Sequence, residues 1–322
     1  MTAGSETLLS SRGGEPQVRC AELSEARQES MTGTAPRADV WVAVEHQPGW
    51  GDAELTRSGH DVRVLMARAP RSVAGPPDAD ERRRGELPGT RVWVGYVTDE
   101  PMLRVGTVAH PADVATWDLA AVAAGSMRAW GAPDPDPLLL VCANGRRDRC
   151  CGHLGGRLAD ALWRGPHARR VLTSTHLGGH RFAPTALLLP VGALHGRLDP
   201  DSAADLLSGA SAGTMRADTL RGFSALTEPA QVAEAHARVE TGYLGLDPLP
   251  VELPGPTDPA GGSAGGSSVG SGERSSLHAR VLPSAAAPGS ARAIGVDLVR
   301  RSDPTLLACG RQLESRARWL VG

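Results

Sequence analysis

Leu138-Leu139-Leu140-Val141-Cys142-Ala143-Asn144-Gly145-Arg146-Arg147-Asp148-Arg149-Cys150-Cys151 sets the architecture of the surrounding chain. Four consecutive apolar residues form a strand buried on both faces. The strand ends on a cysteine, a polar Gly-containing loop follows, and two adjacent cysteines lead into a short helix over Leu154–Trp163. Upstream, Gly131-Ala132-Pro133-Asp134-Pro135-Asp136-Pro137 breaks whatever precedes it and marks a domain boundary. Downstream, Val171–Thr175 reads as a second strand and Thr185–Leu189 as a third. The Pro190-Val191-Gly192 turn leads into Leu194–Leu198, and Pro200-Asp201 opens a helix through Leu207. Helix resumes near Glu228–Tyr243. The order β-α-β, then hairpin, then helix is that of a thioredoxin-like domain, over residues 131–250.

Outward from this domain the signals are simpler. Trp41–Val44, Val62–Met66 and Arg91–Val97 read as strands, and Trp117–Trp130 as a helix with Thr116 as its cap. They make a smaller α/β region over 18–130, with an exposed loop at 70–90. Residues 1–17 are expected to be a disordered tail. Residues 251–276 form a Gly/Ser/Pro linker that cannot bury a core. Short strands at 279–283, 293–299 and 305–309 make 277–322 a β-rich appendage. The expected fold class is therefore α/β, a thioredoxin-like domain between these two flanks.

At ~150 residues per domain, 322 residues allow about two domains. A net charge of −2 offers no bulk attraction to nucleic acid or to an anionic membrane. No stretch approaches the ~18 apolar residues of a membrane span, and residues 1–17 lack the apolar core of a signal peptide. A cytoplasmic protein with reduced thiols is expected, because five Cys in a chain this long are no disulfide scaffold. All 34 basic residues are Arg, and Asn144 and Ile294 are the only ones of their kind. That skew reflects a GC-rich gene before it reflects the protein.

The Cys and His residues are not evenly scattered. Cys142, Cys150 and Cys151 fall within ten residues, and His176 and His180 flank Gly178-Gly179 at the end of the neighbouring strand. Strand ends and helix starts are where α/β proteins place their chemistry, and a helix start favours thiolate. The two glycines let the backbone curl so that both imidazoles converge. Two thiolates and two imidazoles about one position make a metal site. Spacing alone leaves Cys150 and Cys151 as alternative partners for Cys142.

The string Cys142–Cys151, with His176-Leu177-Gly178-Gly179-His180-Arg181-Phe182-Ala183-Pro184, resembles the sucrase/ferredoxin-like family of thioredoxin-like ferredoxins, whose pattern is C-x8-C followed by H-x-G-G-H. Weaker similarity reaches Gly33-Thr34-Ala35-Pro36 and Glu45–Gly51. The resemblance implies a [2Fe-2S] cluster held by Cys142 and Cys151 on one iron and by His176 and His180 on the other. It implies one-electron transfer between unidentified donor and acceptor proteins. Imidazole ligands in place of thiolates raise the potential of such a cluster. Proton loss from a ligating imidazole would lower that potential as pH rises; a pH-independent potential in film voltammetry would refute this. Around the ligands, Asn144 and Gly145 shape the first loop and Gly178 and Gly179 the second, with Cys150, Arg149 and Arg181 close by.

Other readings are weaker. Glycoside hydrolysis needs a positioned carboxylate pair, which this stretch lacks. Structural zinc suits the same Cys/His set, and a thiol–disulfide oxidoreductase would want C-x-x-C at the helix start. The C-x5-R string from Cys151 to Arg157 lacks the preceding strand that a phosphate loop requires. Arg146, Arg147, Arg149 and Arg181 offset cluster charge or dock an acidic partner, unless Arg147-Asp148 is simply an ion pair. His153 packs, His195 faces solvent or the core edge, and Cys20 and Cys309 are ordinary isolated thiols.

Overall fold

A computed structural model describes residues 19–45, 57–70, 89–98, 100–254, 276–282, 292–306, 309 and 313–322. The expected tail at 1–17, nearly all of the 70–90 loop and most of the 251–276 linker lie outside these residues.

The strand quoted first is the centre of the molecule. β7 (Leu138–Cys142) is buried along its whole length. Side chains alternate across a strand, so Leu138, Leu140 and Cys142 join one apolar layer while Leu139 and Val141 join the other. β7 pairs in parallel with β8 (Val171–Ser174) and antiparallel with β9 (Ala186–Leu189). β9 turns into β10 (Ala193–His195), which pairs with β11 (Leu220–Phe223). The β-α-β, hairpin, helix order expected of a thioredoxin-like domain is the one observed.

The upstream region does not stand apart from this sheet. β3 (Val62–Arg68) pairs antiparallel with β8 through Ala67 opposite Ser174 and Arg68 opposite Thr173. β3 continues to β1 (Val40–Glu45), β4 (Thr90–Tyr96), β5 (Met102–Val108) and β6 (Ala132–Pro133), and β2 (Arg57–Gly59) also pairs with β3. One eleven-stranded mixed sheet therefore runs through both regions.

Helices cover the sheet. α1 (Cys20–Ala26) packs near the site described below. Of the single helix expected over 117–130 only α3 (Leu119–Ala123) is helical, and a separate short helix, α2 (Pro111–Ala115), precedes it. Thr116 ends α2, and the Asp118 carboxylate caps α3 by accepting the Ala120 N–H at 2.9 Å. Gly125 at φ +97° then turns the chain away from helix. α4 (Gly156–Leu162) and α5 (Pro200–Ser211) cover the Leu139/Val141 face, with α5 held by an Asp199–Ser202 capping box.

α6 (Glu228–Thr241) lies between the large sheet and a second, four-stranded antiparallel sheet. That sheet comprises β12 (Val251–Glu252), β13 (Ser276–Val281), β14 (Ile294–Leu306) and β15 (Leu313–Val321). Val232, Ala233 and Ala237 of α6 meet Ala279, Val281, Val296 and Leu298 in a shared apolar core. The chain is thus α/β with a C-terminal β appendage. Its last two strands are longer than the sequence implies, and the expected strand at 305–309 falls partly outside the described residues. Among the described residues no helix is long and apolar enough to cross a membrane.

Candidate metal centre

Cys142 terminates β7 and is 1% exposed. Its neighbours arrive from two loops. The first leaves β7 and returns as a single π-helical turn, Cys151–Gly155, which runs directly into α4. A Cβ on Gly155 would lie 1.9 Å from the Cys142 carbonyl oxygen, and one on Gly152 would lie 2.5 Å from Gly145 Cα. Glycine at these two positions lets the turn press against the strand end and carries Cys151, fully buried, beside Cys142.

The second loop leaves β8. Gly178 and Gly179 have φ +84° and +71°, a region that L side chains rarely adopt. The reversal sets the rings of His176 and His180 5.1 Å apart, centroid to centroid. Cys142 Sγ lies 3.9 Å from His176 Nδ1, and donor atoms of Cys142, Cys151 and His176 all fall within 4.8 Å of one another. His180 stands at the edge of this group, with Nδ1 3.6 Å from Asp148 Oδ2. Three of the four expected ligands, Cys142, Cys151 and His176, therefore bring donor atoms together, while His180 lies beside the His176 ring with its Nδ1 turned to Asp148. The donor set fits a group that takes two sulfurs and two ring nitrogens.

The two thiols are hydrogen-bonded to each other. A hydrogen bond from Cys151 holds the Cys142 thiol well below its ordinary range against the opposing effect of burial, aided by His176 and the Leu177 N–H. The same bond, with burial, pushes the Cys151 thiol up. A metal displaces that proton on binding both sulfurs.

Arg221, from β11, is a positioning residue that the sequence pattern does not single out. It is fully buried and donates to Gly178 O at 3.0 Å, to Thr34 Oγ1 at 3.1 Å and to Thr34 O at 2.5 Å. Burial pulls it down to about 9, helped by the charge of Arg181 and opposed by the Cys142 and Cys151 sulfurs. A Cβ on Gly179 would sit 2.3 Å from its Nη2. The Gly33–Pro36 segment thus seats the guanidinium that props the histidine loop.

The remaining expected residues divide. Asn144 turns the first loop, its side-chain oxygen accepting the Arg147 N–H at 3.2 Å. Arg149 is exposed, as are Arg146 and Arg147. Arg181 is buried and pairs with Glu29 at 2.8 Å, so it braces the fold instead of lining a rim. His153 is exposed. His195, expected at solvent or the core edge, is completely buried 2.9 Å from Thr219 Oγ1.

Cys150 is buried but turned away from Cys151, and it meets Cys20 and Cys309. Those two cysteines, isolated in the sequence, are neighbours in space. Asp148 points inward among them, accepting N–H groups from Cys150 at 2.8 Å and Cys309 at 3.0 Å. Burial raises its pKa, but these bonds and the charge of His180 keep the carboxyl below its usual range. Cys20 and Cys309 are 289 residues apart, so no local spacing could have revealed the grouping. Five cysteines with two unassigned was the only signal.

A family model described as sucrase/ferredoxin-like matches residues 31–222, more than half of the 322. No curated protein and no solved structure matches the chain.

Proposed function

Because the chain belongs to the sucrase/ferredoxin-like family, we propose that it is an electron-transfer protein whose [2Fe-2S] cluster is held by Cys142, Cys151, His176 and His180. The observation that carries the reading is the meeting of two thiols and the His176 imidazole from separate loops at the end of β7, with the His180 ring 5.1 Å from that of His176. When bound, such a group supplies a one-electron couple, raised by its imidazole ligands. The chain's own residues do the rest. β7 and the π-helical turn bury both sulfurs, which shields the thiol pair from water and oxidants. Arg221 holds the Gly178 carbonyl and sets a positive charge near the sulfurs. Arg146, Arg147 and Arg149 offer an exposed cationic rim on the first ligand loop, suited to an acidic donor or acceptor protein. All five cysteines are free, which suits a reducing compartment such as the cytoplasm.

A second reading has one observation in its favour. Three donors, those of Cys142, Cys151 and His176, lie within reach of a single ion, as in a structural zinc site. Anaerobic purification with iron, sulfide and zinc analysis, followed by EPR of the reduced protein, separates the two. Equal iron and sulfide, lost together in Cys151→Ser, is expected. Zinc lost in that variant, with no iron in the parent chain, overturns the redox reading.

A further inference from the structure

Cys20, Cys150 and Cys309 converge from three distant parts of the chain. Their sulfurs are 3.6 Å apart for Cys20 and Cys150, 3.3 Å for Cys150 and Cys309, and 3.6 Å for Cys20 and Cys309. Asp148 closes the figure, Oδ1 lying 3.6 Å from Cys20 Sγ and 3.5 Å from Cys309 Sγ. Four donors at such edges form a small tetrahedron. A zinc ion with ~2.3 Å bonds to sulfur needs donor-to-donor edges of ~3.8 Å. A disulfide needs its sulfurs at ~2.05 Å, and all three thiols are free.

We propose that Cys20, Cys150, Cys309 and Asp148 form a second metal site, a closed four-ligand structural zinc centre distinct from the Cys142/Cys151/His176/His180 group. Three soft thiolates with one hard carboxylate suit zinc better than calcium or magnesium, which take oxygen donors only. The supporting contacts are those of a metal-thiolate site. The Cys20 N–H points at Cys309 Sγ at 3.5 Å, and the N–H groups of Cys150 and Cys309 both reach Asp148. Packing around the site is apolar, from Ala21, Ala183 and Leu154. A cavity of about 370 Å³ lined by Arg19, Arg149, His153 and Cys309 gives an entry path and places cationic side chains beside an anionic cage.

The consequence is mechanical. Cys20 opens α1, Asp148 and Cys150 lie on the loop that also carries Cys151, and Cys309 lies between β14 and β15. One ion would staple the N-terminal helix and the C-terminal hairpin to the ligand loop. Asp148 also faces His180, so the staple would hold a neighbour of the first site in place.

The test uses the full chain produced with zinc and iron in the medium. One zinc per chain is expected beside the iron, lost in Cys20→Ser and in Cys309→Ser while iron and sulfide remain. Cys151→Ser should do the opposite, which keeps failure of this proposal separate from failure of the redox reading. Should Cys20→Ser and Cys309→Ser not fold, cobalt(II) added to the metal-free Cys151→Ser chain gives a second readout: thiolate-to-cobalt charge transfer with tetrahedral d–d bands from the remaining thiols. A parent chain that binds no zinc outside the first site would overturn the proposal. So would zinc retained in Cys309→Ser, iron in excess of sulfide, an octahedral cobalt spectrum, or an intact mass showing a disulfide among these thiols.

Discussion

Cys150 and Cys151 are adjacent in the chain and belong to different assemblies. Cys151 turns towards Cys142 and the histidine loop, while Cys150 turns towards Cys20, Cys309 and Asp148. A step of one residue at a helical turn rotates a side chain by ~100°, enough to separate two buried clusters. The first cluster draws all its members from residues 31–222, the part matched by the family model. The second takes Cys20 and Cys309 from outside that part. One is local to the part of the fold matched by the family model, and the other gathers residues from either side of it.

The sharpest break of this comparison is a pair of variants one residue apart. Cys151→Ser should abolish iron and sulfide binding almost completely and leave zinc, whereas Cys150→Ser should abolish zinc and leave most of the iron; metal analysis reads both. If the two variants lose the same metal, the clusters are one site. Arg221→Gln comes next. It leaves Thr34 O and Gly178 O short of buried donors, which costs about 2–4 kcal/mol, measured by denaturant unfolding. Iron content should fall more than zinc content, because Arg221 bonds the histidine loop and the Thr34 segment, not the Cys20/Cys150/Cys309 group.

Gly179→Ala forces a side chain into φ +71° against the Arg221 guanidinium. The cost is about 1–3 kcal/mol, again with iron lost before zinc, and equal loss of both would show that the clusters stand or fall together.

The smallest effect at neutral pH, where His195 is uncharged in both states, is a control on acid sensitivity. Burial holds the His195 imidazole down to about 3. Between that value and the ordinary ~6.5 the unfolded chain binds the extra proton, so stability is lost as pH falls through the window, by at most ~1.4 kcal/mol per pH unit. His195→Gln should flatten this slope in the parent chain and in Cys150→Ser and Cys151→Ser alike. A slope that survives His195→Gln but vanishes with either cysteine variant would place the acid sensitivity in a cluster instead.

What was legible in the sequence follows the same division. Cys142, the Cys150-Cys151 pair, His176 and His180 sit at ends of consecutive elements with glycines between them, so spacing and chemistry grouped them, and only the family resemblance preferred Cys151 to Cys150. β7 and the order of elements after it were equally plain, since an unbroken Leu138–Val141 run permits little else. The junction of β3 with β8 was not, because strand order between two regions leaves no mark on either segment. Nor was the break at Gly125, where alanine-rich flanks mimic one continuous helix. Arg221 looks like any arginine in a polar-edged strand. Cys20 and Cys309 carry no pattern, because their partner is defined only after the sheet, α6 and the second sheet have packed.

That junction between the two halves is only two residue pairs wide, Ala67 with Ser174 and Arg68 with Thr173. Thr175 extends it, its N–H reaching Met66 O at 2.9 Å and its hydroxyl accepting the Met66 N–H at 3.1 Å. The next residue is His176. An open cleft lined by Met66, Arg68, Asn144 and Thr173 runs along this line. Any displacement of the halves along this line is therefore felt one peptide bond from the candidate metal centre, at His176.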